Sequence, residues 1–433
     1  MSIPRDHPRR RELAEEAHAR PPDALDSPLR VSYLAILTGP GSDGRAEWAQ
    51  LEALLARYGL PSPGAPRNHC RTDVGGLGVR YERHTEFYRY TFMRPGLGSD
   101  PFAETALDRV PADWLAGLRG ETLVALHALL LPWEPAADPE AVGRRYFDGN
   151  GLIGGEIGDL GGRALSDFQL RGDGFMRLVL QDRGMSPRQS GRMLQRLLEI
   201  ETYRMLALLA LPGARDLAPF LARAEAEVSG VTAELAAAAP QDEAPLLERL
   251  TRLEAAIGRE EAASDYRFRA SFAYYELVQR RIQELRETRI AGTQTLAEFI
   301  DRRLAPAIAT CRAVANRQEA LSRRVARVNQ LLATRIDLTR ESQNQQLLES
   351  MDRRSAAQLR LQQTVEGLSV AAITYYVVAL IGDLAKGLEE VGLGVRPEVV
   401  MAVSIPLVGL LAALSIRHLR HAIVGRSGRD TGR

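Results

Sequence analysis

Lysine is all but missing from this 433-residue chain, in which Lys386 is the only one although lysine and arginine together number 56. A phosphate-binding P-loop, which needs a lysine, is therefore excluded from the whole chain before residue 386, and no GxxxxGK[ST] occurs. Cysteine is nearly as scarce. Cys70 and Cys311 lie far apart, so no disulfide framework is implied and a reducing cytosol fits. HExxH, GxSxG and paired CxxC are absent as well, so no enzyme class is indicated and no cofactor is expected. The net charge of +1 gives no field that would draw nucleic acid. The opening MSIPRDHPRRRELAEE lacks an apolar segment, which argues against a cleaved secretory signal.

Charge itself is missing from two stretches near the end. GLSVAAITYYVVALIG lies between Glu366 and Asp383, and VVMAVSIPLVGLLAALSI between Glu398 and Arg417. The first would cover roughly 24 Å as a helix, against a hydrocarbon core of about 30 Å, so Thr364, Val365 and the stem of Lys386 must extend it. Two such runs around a short polar loop predict a transmembrane hairpin embedded in lipid, with spans 367–382 and 399–416, a loop 383–398 and a basic tail 417–433. Arg353, Arg354 and Arg360 precede the hairpin and Arg417, Arg420, Arg426, Arg429 and Arg433 follow it, while Asp383, Glu389, Glu390 and Glu398 dominate the loop. The positive-inside rule then makes both termini cytoplasmic and the loop periplasmic, in a bacterial inner membrane.

After an N-terminal segment 1–30, residues 31–185 read as a cytoplasmic α/β domain. VSYLAILTG is a buried strand run, and GRAEWAQLEALLARYG is an amphipathic helix stopped by Gly59 and Pro61. VRYERHTEFYRYTF alternates as a strand, and ETLVALHALLLP, GLIGGEIGD, ALSDFQL and FMRLVLQD supply more, the last three as a glycine-turned meander. PADWLAGL and DPEAVGRRYF are helical, which together predicts an α/β sandwich of unread strand order. Residues 186–293 form a helical layer, with a boundary at Pro212-Gly213 and further helices at 217–238, 244–261 and 265–291. A stalk helix is expected over 294–366, about 100 Å long by helical rise and continuous with the first span. Its seam of Leu321, Val325, Val328, Leu332, Ile336 and Thr339 predicts a coiled-coil-like face for other helices, and Asn329, Gln343, Asn344 and Gln345 read as its surface.

Few residues carry chemistry. Arg80, Glu82 and His84 in RYERHTEF share one face of a strand, with Arg83 on the other, and are either a cross-strand charge network or a ligand-reading face. His69 beside Cys70 lacks a spaced partner, so no metal site is expected. GNGLIGGEIGDLGG reads as hairpin turns rather than as a phosphate cradle. On the first span Ser369, Thr374 and Tyr375 either line a pore or pack helix to helix, and Gly382 and Asp383 stand at its outer end.

EAHARPPDALDSPLRVSYLA, RYERHTEFYRYTF, RGDGFMRLVLQDRGMSPRQSGRMLQRLLEIETYRMLALLALPGAR and SVAAITYYVVALIGDLAKGL together resemble the bacterial membrane-anchored family called domain of unknown function 3422. That resemblance implies no chemistry. The order of parts is also similar to the CorA-type magnesium channels, homopentamers whose first span lines the pore and ends in Gly-Met-Asn. Here Ile381-Gly382-Asp383-Leu384 keeps only the glycine. The second resemblance implies a homo-oligomer, a pentamer by that likeness, with Asp383 as a carboxylate ring for a divalent cation, and a non-conducting scaffold or regulatory protein is the alternative.

Overall fold

The computed structural model describes residues 5–11, 22–38, 42–135, 138–390, 394 and 396–427, and it divides into two units, Met1–Gln330 and Leu331–Arg433.

In the first unit a nine-stranded mixed sheet is built from β1 (Leu29–Leu37), β2 (His69–Asp73), β3 (Gly78–Arg83), β4 (Phe87–Pro95), β5 (Glu121–Pro132), β6 (Ile153–Ile157), β7 (Gly162–Ser166), β8 (Met176–Asp182) and β9 (Thr288–Arg289). Their order is β2-β3-β4-β1-β5-β8-β7-β6-β9, with β5 and β8 the parallel pair and the other pairings antiparallel. β1 is central because both its faces are apolar. Val31, Tyr33 and Ala35 point into one core while Leu34 and Ile36 point into another, as the two-residue period of a strand requires. Helices cover both faces. On one lie α1 (Arg45–Arg57), α2 (Ala112–Ala116) and α3 (Pro139–Tyr146), with Trp48, Leu51 and Trp114 against Tyr81, Tyr88, Tyr90 and Phe92. On the other lie α4 (Pro187–Leu208), α6 (Glu243–Leu285) and the start of α7 (Leu296–Glu390), between which α5 (Ala210–Ala237) occurs in the chain.

The expected α/β sandwich is therefore present, with several boundaries moved. VRYERHTEFYRYTF is two strands, β3 and β4, because the His84 N–H donates to Phe87 O at 2.8 Å and closes a tight turn between them. The meander expected over GLIGGEIGD, ALSDFQL and FMRLVLQD is β6-β7-β8. Its glycines do more than turn. Gly154 has φ +150 and a Cβ there would stand 1.9 Å from Ala164 O, so at this position the glycine lets strand backbone pack closely. The helix break expected at Pro212-Gly213 falls instead at Leu209, since Pro212 lies in the first turn of α5 where its missing N–H costs nothing. The runs 244–261 and 265–291 merge into α6, because Ala262, Ala263 and Ser264 between them hold no breaker, and α6 ends at Arg286 in the left-handed region. The seam residues Leu321 and Val325 pack against Ala224 and Val228 of α5, so this part of the stripe is covered within the chain, and Asn329 donates to Glu254 at 2.6 Å.

In the second unit α7 continues to Glu390, so residues 383–390, expected as loop, are helical, and α8 (Pro397–Ser427) follows. Leu384, Ala385, Lys386, Leu388 and Glu389 are strong helix formers, which explains the extension. α7 and α8 run antiparallel: a Cβ on Gly382 would meet Met401 Sδ at 2.7 Å, and one on Gly409 would meet Thr374 Cγ2 at 3.8 Å.

Candidate functional site

Strand register explains how a line of charge comes to lie inside the first unit. Glu82 of β3 stands directly opposite Arg89 of β4, with Arg80 two residues along on the same face. Their neighbours Tyr81, Tyr88 and Tyr90 point to the aromatic core on the reverse face. Over the charged face lies α4, brought close at Gly191, where a Cβ would stand 1.7 Å from Asp23 O. The strap around Asp23 is held by the Leu25 N–H, which donates to Pro187 O at 2.9 Å.

From the rim inward the charges alternate without interruption. Arg71 pairs with Asp23 at 2.8 Å, Asp23 with Arg80 at 3.0 Å, Arg80 with Glu82 at 2.9 Å and Glu82 with Arg89 at 2.6 Å. Arg89 then meets Glu199 of α4 at 3.4 Å, Glu199 meets Arg281 of α6 at 2.5 Å, and Arg281 and Arg196 both meet Glu284 at 3.0 Å. Glu82 is 2% exposed and Arg89 3%, so most of this ladder is desolvated and each charge depends on its neighbours. Burial pushes the Glu82 carboxyl up, but Arg89 and Arg80, through charge and hydrogen bonds, outweigh burial and hold it down at about 2.

A pH dependence follows. A carboxyl held down in the folded chain stabilises it fully above its ordinary value of 4.5, and that stabilisation is lost as pH falls toward about 2. Glu82→Gln should therefore melt well below wild type at pH 6, with the gap narrowing by pH 2.5 in a thermal-unfolding series. A gap that stays constant with pH would contradict the assignment.

Of the three residues read from RYERHTEF, Arg80 and Glu82 come together in the ladder. His84 does not join them; it sits in the β3–β4 turn, stacked on Phe87 with ring centroids 4.3 Å apart. The space between Arg80, Glu82, Arg89 and α4 is about 30 Å³, room for one water and no ligand. The arrangement is a cross-strand charge network continued onto two helices.

At its far end the ladder opens. Arg196 and Glu284 form one wall of a cleft of about 470 Å³ that is also lined by Arg192, Arg280, Arg286 and Asp159. Sequence reading missed this cleft. Its signal was Arg188, Arg192 and Arg196 at helical spacing, which on sequence alone is indistinguishable from a solvated helix face.

The residues expected at a pore all lie on α7. Ser369 Oγ donates to Val365 O at 2.9 Å and Thr374 Oγ1 to Val370 O at 2.7 Å, so both hydroxyls are satisfied within their own helix. Tyr375 is exposed, edge-on to Tyr376 at 5.8 Å. Gly382 provides the close approach to Met401, and Asp383, inside α7, pairs with Lys386 at 3.3 Å.

Among the described residues, three stretches are apolar and long enough to cross a membrane by length and composition, Pro187–Ala237, Leu296–Glu390 and Pro397–Ser415. The first buries 33% of its apolar window, against 11% for each of the others. Its Leu194, Leu197 and Leu198 face the sheet core, as an amphipathic core helix does.

A family model described as protein of unknown function (DUF3422) matches residues 5–423. No curated protein and no solved structure matches.

Proposed function

This chain belongs to the DUF3422 family, and we propose that it works as a two-span membrane protein whose residues 1–366 form a cytoplasmic binding or regulatory body rather than part of an ion pathway. The observation that carries the membrane reading is the exposure of large apolar side chains on the two terminal helices. Leu368 is 75% exposed and Leu380 69%, and Leu407, Leu410 and Leu411 follow on α8. An apolar surface of that extent is unstable in water and ordinary in lipid. The orientation with both ends cytoplasmic rests on the arginine bias of the flanks.

Against conduction stand the groups a pore would need. Ser369 and Thr374 bond to their own helix, and Asp383 has a cation of its own chain three residues away. The CorA-type reading keeps its support in the order of elements alone. Purified protein in liposomes should accordingly show no divalent-cation flux above empty liposomes. A flux that Asp383→Asn reduces would overturn this reading in favour of an Asp383 ring at a pore mouth.

A further inference from the structure

We propose that the arginine cleft between α4, α6 and the β6–β7 turn binds a small phosphate-bearing molecule. The cleft lies wholly within the first unit, so this inference does not depend on the membrane reading. Its lining carries four arginines against two carboxylates, Asp159 and Glu284. Arg286 is held by Asp159 at 2.5 Å, and Arg196 by the Glu284 carboxylate at 3.0 Å and by the Glu284 carbonyl at 3.1 Å. Arg192 and Arg280 have no carboxylate partner among the described residues, so the cleft keeps two uncompensated guanidinium groups. A planar guanidinium is the side chain best matched to paired phosphate oxygens.

The rest of the cleft fits an organic phosphate better than a bare ion. Its floor includes Met185 and Met193, buried and apolar, and their sulfurs come within 3.7 Å and 3.5 Å of where a Cβ on Gly158 would be. Polarizable thioethers accept a flat or irregular apolar body. Gln189 adds a donor, since its side-chain oxygen is already taken by the Ser186 N–H at 2.9 Å and the Ser186 hydroxyl at 3.0 Å, leaving the amide N–H₂ to face an anion. About 470 Å³ lies within the range of small-molecule sites and far exceeds a lone phosphate.

Backbone strain gathers at the same place. Five residues other than glycine have positive φ among those described, and Asp159 (φ 57) and Arg286 (φ 49) line the cleft while Leu160 (φ 67) adjoins it. Left-handed backbone at a leucine is unusual and is retained where a site holds it. The buried ladder behind Arg196 fixes that wall, so the cleft is ordered before a ligand arrives.

The test uses the full chain in detergent, titrated calorimetrically with inorganic phosphate, AMP, ATP and glycerol 3-phosphate. Saturable binding of at least one probe is expected, weakening as salt rises. Arg192→Gln/Arg280→Gln should bind it at least tenfold more weakly while melting within a few degrees of wild type. Preference for glycerol 3-phosphate would identify the source as a lipid headgroup, and preference for AMP or ATP a soluble nucleotide. The proposal is overturned if no probe saturates, or if the double variant binds as wild type does.

Discussion

Glu82→Leu is expected to destabilise the first unit by about 3–5 kcal/mol, the range found when one member of a buried ion pair is removed, and to lower the melting temperature on the order of 10 °C. The companion substitution makes the claim specific. Arg89→Leu should cost less, although Arg89 is as deeply buried. Without Arg89, Glu82 keeps Arg80 and Glu199 keeps Arg281, and either carboxylate can also shed its charge by taking a proton. Without Glu82, Arg80 retains Asp23 but Arg89 is left with Glu199 at 3.4 Å, and no guanidinium can discharge at any accessible pH. Thermal unfolding of both variants at pH 7 decides the order. If Arg89→Leu proves the more damaging, the ladder is not held together in the way its geometry indicates.

The second large effect concerns topology. Membranes washed at alkaline pH should retain the wild-type chain in the pellet. In intact cells an impermeant thiol reagent should label Glu390→Cys almost completely and leave Arg420→Cys unlabelled until the cells are opened. Cys70 and Cys311 are half-buried and buried, so little background is expected from them. The reverse labelling pattern would invert the orientation, and release of the chain into the supernatant would remove the membrane from the account.

Much of this was written into the sequence through periodicity. The near-continuous apolar run of VSYLAILTG marks a strand covered on both faces, and the absence of charge in GLSVAAITYYVVALIG and VVMAVSIPLVGLLAALSI marks helices that expose large apolar side chains. Boundaries were less legible, because Pro212 breaks a helix in its interior but not in its first turn, and only the three-dimensional chain says which applies. The candidate sites were half legible. Arg80 and Glu82 were visible as one face of a strand, but Glu199, Arg281 and Glu284 join them from helices more than 100 residues downstream, and no local pattern announces that. Arg192 and Arg280 resemble any exposed helix arginine until the cleft between their helices is seen.

The alternation of the ladder also governs how such a sequence can change over generations. Each inner member touches an opposite charge on both sides, so a neutral substitution at Glu82 or Glu199 strips a guanidinium of one of its two carboxylates with no way to discharge it, while one at Arg89 or Arg281 leaves carboxylates that keep another arginine or take a proton; neutral change is better tolerated at the arginines than at the acids. Arg192 and Arg280 carry no such internal obligation. A change at either leaves every ion pair of the ladder in place.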